Sequence, residues 1–175
     1  MIRPRAPGGP LIHTEARFAI RTHALPVRGG SHQTRAYIEH PGAVVILPLT
    51  PTGVLFIENR RWAIGQTLLE LPAGGLEAGE DPAAAAAREL EEETGHRAAR
   101  IEPLQAFFLV PAYSTEVMHA FVAHDLTPTA QRLEADEELS PVHLTWAEVD
   151  ARLRAGAIAD MKTLAVLGLW RALRP

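Results

Sequence analysis

Seven carboxylates stand between residues 77 and 93: Glu77, Glu80, Asp81, Glu89, Glu91, Glu92 and Glu93, with Arg88 the lone cation among them. Asp81-Pro82 opens a helix there, because Asp is a favoured N-cap and proline at the first helical position loses no needed hydrogen bond. Five alanines carry the helix on to Thr94, and Gly95 can close it in a left-handed cap. At about 100° per residue, Glu89 and Glu93 share one face with Glu92 beside them. Leu90, Ala83, Ala86 and Ala87 lie opposite and are expected to pack on a sheet. Like charges placed this way oppose one another by ~0.2–0.5 kcal/mol per pair, a sign that a divalent cation reverses. Carboxylate oxygens are the ligands that hard Mg²⁺ or Mn²⁺ take, commonly bridging them to substrate phosphates. A plain solvated helix face is the other reading of the same run, and charge alone leaves both open.

The elements around this helix can be read coarsely. Residues 1–13 are rich in Pro and Gly and read as an irregular arm. Residues 14–41 read as an N-terminal β-sheet region, with strands near Ala16–Thr22 and Gln33–Glu39 about the Arg28-Gly29-Gly30-Ser31 turn. The main domain is placed at 42–175. Ala43–Leu49 is apolar on both faces and hence a buried strand, and Val54–Glu58 is its expected partner across Thr50-Pro51-Thr52-Gly53. Gly74–Gly79 is a loop with three glycines directly before the helix. Gln105–Val110 and Glu116–Ala123 read as strands, and helices near Trp146–Ala155 and Asp160–Leu173 close the chain. Strands, one helix, strands, then helices is an α+β or layered α/β/α pattern.

Composition narrows the function classes. The 175 residues suit one domain, and 47% hydrophobic with 22% charged residues is an ordinary globular balance. No cysteine is present, which excludes disulfides, thiolate metal sites and a cysteine nucleophile. The N-terminus has no apolar stretch of a signal peptide, and no run reaches a membrane span, so a cytoplasmic protein with no membrane partner is expected. The net charge is −4 and the positive charge is almost all arginine, with Lys162 the only lysine. That distribution gives no basic nucleic-acid face. An acidic cluster in a mildly basic surround suits a cation, with arginines near for an anionic ligand.

Gly74, Glu80, Arg88-Glu89-Leu90, Glu92-Glu93 and Gly95 together match every fixed residue of the pattern G-x5-E-x7-R-E-U-x-E-E-x-G-U, where U is bulky and apolar. The chain therefore resembles the Nudix hydrolases, with His96 at the last apolar position the one departure. Seven specified residues at fixed spacing arise by chance at about 10⁻⁸ per window, which decides against a mere solvated face. The resemblance runs over most of residues 33–170 and favours the ADP-ribose pyrophosphatases within that family. Glu70-Leu71-Pro72-Ala73-Gly74 is similar to their E-L-P-A-G lead-in, and Asn59–Gly65 to their Q-x-R-aromatic segment. Pro111–Glu116 resembles their P-G-F-[ST]-x-E loop, with Ala112 for Gly and Tyr113 for Phe. Asp136-Glu137-Glu138 resembles their acidic loop.

The resemblance implies an α/β/α sandwich with a mixed sheet and a small N-terminal antiparallel sheet. It implies metal-dependent hydrolysis of ADP-ribose to AMP and ribose 5-phosphate, with Mg²⁺ as cofactor and Mn²⁺ or another divalent cation able to substitute. Carried over residue by residue, Glu89, Glu92 and Glu93 are metal ligands together with the Ala73 carbonyl. Glu138, then Glu137, is the general base, while Glu80 and Arg88 brace the site. Arg61, Arg35, Glu70, Pro111, Tyr113 and Glu116 are expected to bind substrate, and Trp62 either stacks on adenine or belongs to the core. A nucleotide sugar, NADH or a dinucleoside polyphosphate is the alternative substrate, and a non-catalytic nucleotide sensor the rival class. Such a sensor has no need of the three box carboxylates. The family resemblance further implies a homodimer through the N-terminal sheets.

Overall fold

A computed structural model describes residues 2–4, 6–135 and 137–173. Asp136 of the acidic loop and Met1 and Arg5 of the arm lie outside them. In chain order the elements are β1 Leu11–Thr14, β2 Ala19–Pro26, β3 His32–Glu39, β4 Ala43–Pro48, β5 Gly53–Arg61, β6 Gln66–Glu70 and β7 Ala73–Gly75. There follow α1 Pro82–Thr94, β8 His96–Phe108, β9 Val117–Pro128, β10 Leu139–Thr145, α2 Trp146–Arg154 and α3 Met161–Leu173. They build three sheets: an antiparallel β1-β2-β3 at the N-terminus, an antiparallel β10-β5-β6, and a mixed β7-β4-β9-β8 in which β4 and β9 run parallel. With helices on both sides of the sheet layers, the architecture is an α/β/α sandwich carrying a small N-terminal antiparallel sheet.

The central strand β4 is buried throughout, as its unbroken apolar run requires. Its alternate side chains serve two cores. Val44 and Ile46 meet Ala85, Ala86 and Leu90 of α1, with Phe121 and Ala123 of β9. Val45 and Leu47 face Val54, Phe56 and Leu69 of the second sheet and Leu71 just after it, with Val149 of α2 and Val166 and Leu167 of α3. In α1 it is Ala85 and Ala86 that are fully buried. Ala83 and Ala87, expected on that face, are exposed, because the inward rows run Ala86–Leu90 and Ala85–Glu89–Glu93 at four-residue spacing.

Two further expectations are corrected. β5 is not the ladder partner of β4: one bridge, Leu49 to Val54, joins the segments, and β5 pairs with β6 and β10. After the 50–53 turn the chain leaves the first sheet for the next layer, and Gly53 permits this. A Cβ there would lie 1.9 Å from the Leu144 carbonyl oxygen of β10. The arm of residues 1–13 is not irregular to its end, since β1 begins at Leu11 and pairs with β2. The preceding residues lie along β2, where the Thr22 N–H donates to Pro10 O and Arg21 Nη1 to Gly9 O, both at 3.0 Å.

Candidate active site

The caps read from sequence set the reach of α1. The Asp81 carboxylate accepts from the N–H groups of Ala83 and Ala84 at 2.9 and 3.3 Å. Gly95 adopts the left-handed conformation, φ 65° and ψ 32°, and its N–H donates to Glu91 O. Between the caps, Ala85, Glu89 and Glu93 form one row under β7. Glu93 is 2% and Glu89 8% exposed, a placement that carboxylates rarely take without partners. Glu93 accepts from the Ala73 N–H at 2.8 Å, which fixes it against the strand before the loop. Burial, then the charges of Glu89 and Glu137, push the Glu93 carboxyl up to about 8, while the Ala73 N–H opposes the shift. Burial likewise pushes Glu89 up, against the Arg88 guanidinium.

Gly74 of β7 passes directly over Glu89. A Cβ there would stand 2.0 Å from the Glu89 Cδ, so only glycine admits the carboxylate at this height. Arg88 braces the cluster: Nε and Nη2 each lie 3.0 Å from one Glu80 oxygen, and Nη2 also donates to Gly75 O at 3.2 Å. Its Nη1 spans Glu89 at 2.7 Å and Glu92 at 3.2 Å. Half-buried Glu92 is thus drawn to the same cluster, whereas Glu91 turns away to Arg97, with two bonds of 3.0 Å. Among the described residues no three acidic or histidine side chains converge as a ready-made metal cage. The geometry accounts for that, since Arg88 spans two of the carboxylates and Glu93 is turned to Ala73. The donor set, three carboxylates and a backbone carbonyl, is nonetheless all oxygen, and its buried members are short of positive charge. Those are the properties a hard divalent cation requires.

Of the two loop carboxylates, Glu137 is the one turned inward. It is half-buried, accepts from the Glu134 N–H at 2.9 Å, and its charge acts on both Glu89 and Glu93. Glu138 is exposed and shares an open groove with Glu58, Arg60 and Thr67, its backbone carbonyl accepting from the Arg60 N–H at 2.9 Å. The loop is held from the N-terminal side by Arg17, 2.5 Å from Glu134 and 4.0 Å from Glu137. Arg17, Gly75, Arg88, Glu89 and Glu134 together line a cavity of about 430 Å³.

Glu70 and Arg61 meet, but not as two separate ligand contacts. Glu70 is fully buried and takes Arg61 in a bidentate pair, Nε to Oε1 at 2.8 Å and Nη2 to Oε2 at 2.6 Å. Lys162 bonds the same Oε2. With both oxygens committed, Glu70 holds Arg61 rather than touching a ligand itself. Lys162, Asp160 and Thr163 of this network were missed from sequence, as was Arg17; the available signal was a lone lysine in an apolar helix. Trp62 is 89% exposed at the β5–β6 hairpin tip, so its core reading falls.

Arg35, Pro111 and Tyr113 are brought together elsewhere, around a larger cavity of about 590 Å³ between the N-terminal sheet and the 111–115 loop. None of the helix carboxylates lines it. Tyr113 is exposed, and its carbonyl accepts from the Ile38 N–H at 2.8 Å, so the loop extends the edge of β3. Glu116 is half-buried and its charge opposes the burial that lowers the His40 imidazole. The smaller cavity is the one with the chemistry, because Glu89 of the acidic row and Arg88 line it.

Residues 39–165 match the family described as NUDIX domain. An ADP-ribose pyrophosphatase of Bacillus subtilis (strain 168) is 38% identical over 137 residues, covering 77% of this chain and 74% of its own length. A methanol dehydrogenase activator of Bacillus methanolicus is 35% identical over 161 residues, 87% of each chain. Among solved structures, an ADP compounds hydrolase superposes with a TM-score of 0.81 at 22% identity, covering 98% of this chain and 94% of that one, a likeness of fold.

Proposed function

The chain belongs to the NUDIX family, and from that premise we propose that it hydrolyses the diphosphate bond of ADP-ribose to AMP and ribose 5-phosphate. The observation that carries the reading is the buried row of Glu89 and Glu93 beneath Gly74, in a chain 38% identical to an ADP-ribose pyrophosphatase. Glu89, Glu92 and Glu93 with the Ala73 carbonyl are the groups that would hold Mg²⁺, or Mn²⁺ in its place. Bound there, a divalent cation supplies charge neutralisation to a diphosphate and a lowered pKa to an attacking water. Arg61 offers the diphosphate its Nη1, which Glu70 leaves uncommitted, on a guanidinium already locked in orientation. Glu137 accepts the proton of the attacking water, being the loop carboxylate turned toward the cluster, and Glu138 yields that role.

Arg35, Pro111 and Tyr113 shape the pocket for the rest of the substrate, with Glu116 following the Pro111–Thr115 loop that lines it. A homodimer through the N-terminal sheet is part of the same proposal, supported by exposed Leu11, Ile12, Leu25 and Val27 on β1, β2 and the turn after it. No nucleic-acid or membrane partner is proposed, and cytoplasmic location is the matching expectation. No helix among the described residues is long and apolar enough to cross a membrane.

The deciding experiment is release of AMP from ADP-ribose, NADH, a nucleotide sugar and Ap₄A, with Mg²⁺ and with Mn²⁺. The highest kcat/KM is expected for ADP-ribose. A higher value for any other member of the panel moves the substrate assignment to that class, and no turnover of any of them moves the chain to the non-catalytic class.

A further inference from the structure

Lys162 is the chain's only lysine, and it stands where helix physics disfavours it. It lies in the first turn of α3, at the positive end of the helix dipole, and it is 7% exposed. An ammonium placed there loses water and gains repulsion, so its retention needs compensating partners. Two are present. Nζ bonds Glu70 Oε2 and lies 3.0 Å from Asp160. Asp160 in turn accepts from the Thr163 N–H and hydroxyl at 3.0 and 2.6 Å, and the Thr163 hydroxyl accepts from the Leu71 N–H at 2.8 Å. The start of α3 is thereby locked to the segment that leads from Glu70 to Ala73.

The carboxylate oxygen that Arg61 and Lys162 share decides the use of this network. Arg61 and Glu70 alone would form a self-satisfied pair, and the buried carboxylate would compete with any anion for the guanidinium. Lys162 is a second cation on the same carboxylate oxygen, balanced on its far side by Asp160. The four groups sum to zero charge, so what Lys162 adds is a second hold on the Glu70 oxygen that grips Arg61, while the Arg61 side chain, 44% exposed, keeps its outer edge open to a ligand. We propose that Lys162 is a positioning residue for substrate binding: through the Glu70 carboxylate that they share, it fixes the Arg61 fork with its outer edge open to the diphosphate. The proposal rests on the reading of Arg61 as the diphosphate contact.

A double-mutant cycle with a spectroscopic readout tests it. Lys162→Met should raise KM for ADP-ribose ~10-fold and leave kcat within ~3-fold. In an Arg61→Ala background the same substitution should add less than ~2-fold, since the two residues act through one carboxylate. The full KM penalty persisting in Arg61→Ala, or a loss confined to kcat, overturns the proposal. Because Lys162 is the only lysine, protein labelled isotopically at lysine Nζ reports this one side-chain ammonium. Arg61→Ala should shift that resonance, and so should inorganic pyrophosphate added to the unsubstituted protein. An ammonium signal indifferent to both overturns the proposal, even if Lys162→Met fails to fold. Should the protein not hydrolyse ADP-ribose at all, the substrate reading fails while the resonance still decides the coupling of Lys162 to Arg61.

Discussion

Gly74→Ala places a methyl group 2.0, 2.1 and 2.2 Å from the Glu89 Cδ, Oε1 and Oε2. Ordinary contact begins at 3.4 Å, so the carboxylate must retreat by about 1.4 Å. The backbone at Gly74 is not in the left-handed region, and the three nearest atoms all belong to Glu89, so the burden falls first on Glu89. Glu89 can move only by giving up its 2.7 Å bond to Arg88 Nη1 and part of its burial. A reacting or ligating group misplaced by ~1 Å can cost ~10²-fold in rate, or about 2.7 kcal/mol of barrier. Relaxation of one side-chain end should cost the fold only about 1 kcal/mol, and hence ~2–4 °C in Tm for a chain of this size. The assay is kcat/KM for ADP-ribose with Mg²⁺ titration and thermal unfolding, alongside Gly75→Ala. At Gly75 a Cβ meets nothing within 4 Å, so that variant should stay within ~3-fold of wild type. Equal effects at the two glycines, or a Gly74→Ala enzyme within ~3-fold of wild type, would refute the argument that Glu89 must occupy this place.

Glu137→Gln should lose ~10²–10⁴-fold in kcat with KM retained, and Glu138→Gln should stay within ~3-fold; the reverse order in steady-state kinetics returns the base to Glu138. Glu93→Gln should weaken Mg²⁺ activation and cut turnover by at least ~10²-fold, whereas Glu91→Gln, whose carboxylate is turned to Arg97, should change little. Equal mild effects at Glu93 and Glu91 would make the helix a solvated face after all. Chelation by EDTA should abolish turnover, and Mg²⁺ at a hundredfold excess over its Kd should then stabilise the protein by ~2.7 kcal/mol, read as a rise in Tm; activity and Tm both indifferent to metal would sink the cation site. Asp81→Ala removes the cap of α1 and should cost about 1 kcal/mol by denaturant unfolding, and no measurable loss would show that the cap bonds carry no net stability.

What could be read from the residues alone was what local chemistry fixes. Asp81-Pro82 and Gly95 bound α1 because a cap is satisfied by neighbours within four residues, and Glu89 and Glu93 share a face because helical spacing leaves no other choice. The burial of β4 followed from its apolar run, but its partners did not. Ladder pairing is a long-range choice, and β4 pairs with Ala73–Gly75 and with Met118–Ala123 rather than with the strand that follows it in sequence. In β10, Ser140, Pro141 and His143 break the apolar alternation that marks a strand. At the edge of the β10-β5-β6 sheet such residues are tolerated, since one side of an edge strand needs no ladder bonds.

The same division runs through the site. The acidic row is a periodicity, and it is legible. The choice between Glu137 and Glu138 is not, because adjacent loop residues carry no period and the bond from the Arg60 N–H to the Glu138 carbonyl helps set which one faces the helix. Lys162 meets Glu70 across 92 positions of sequence, a separation that motif spacing does not encode. Glu70 shows the cost of reading roles from residue type. A carboxylate beside a glycine-rich loop invites a role in binding, yet full burial turns it into the counter-charge that orients an arginine. Desolvation makes the difference: a carboxylate with no exposed surface must be matched by cations from the protein itself, and Arg61 and Lys162 already provide them. Glu93 is almost as buried and is matched only by one backbone N–H among its close contacts. Of Glu70 and Glu93, it is therefore Glu93 whose charged form still calls for a cation from outside.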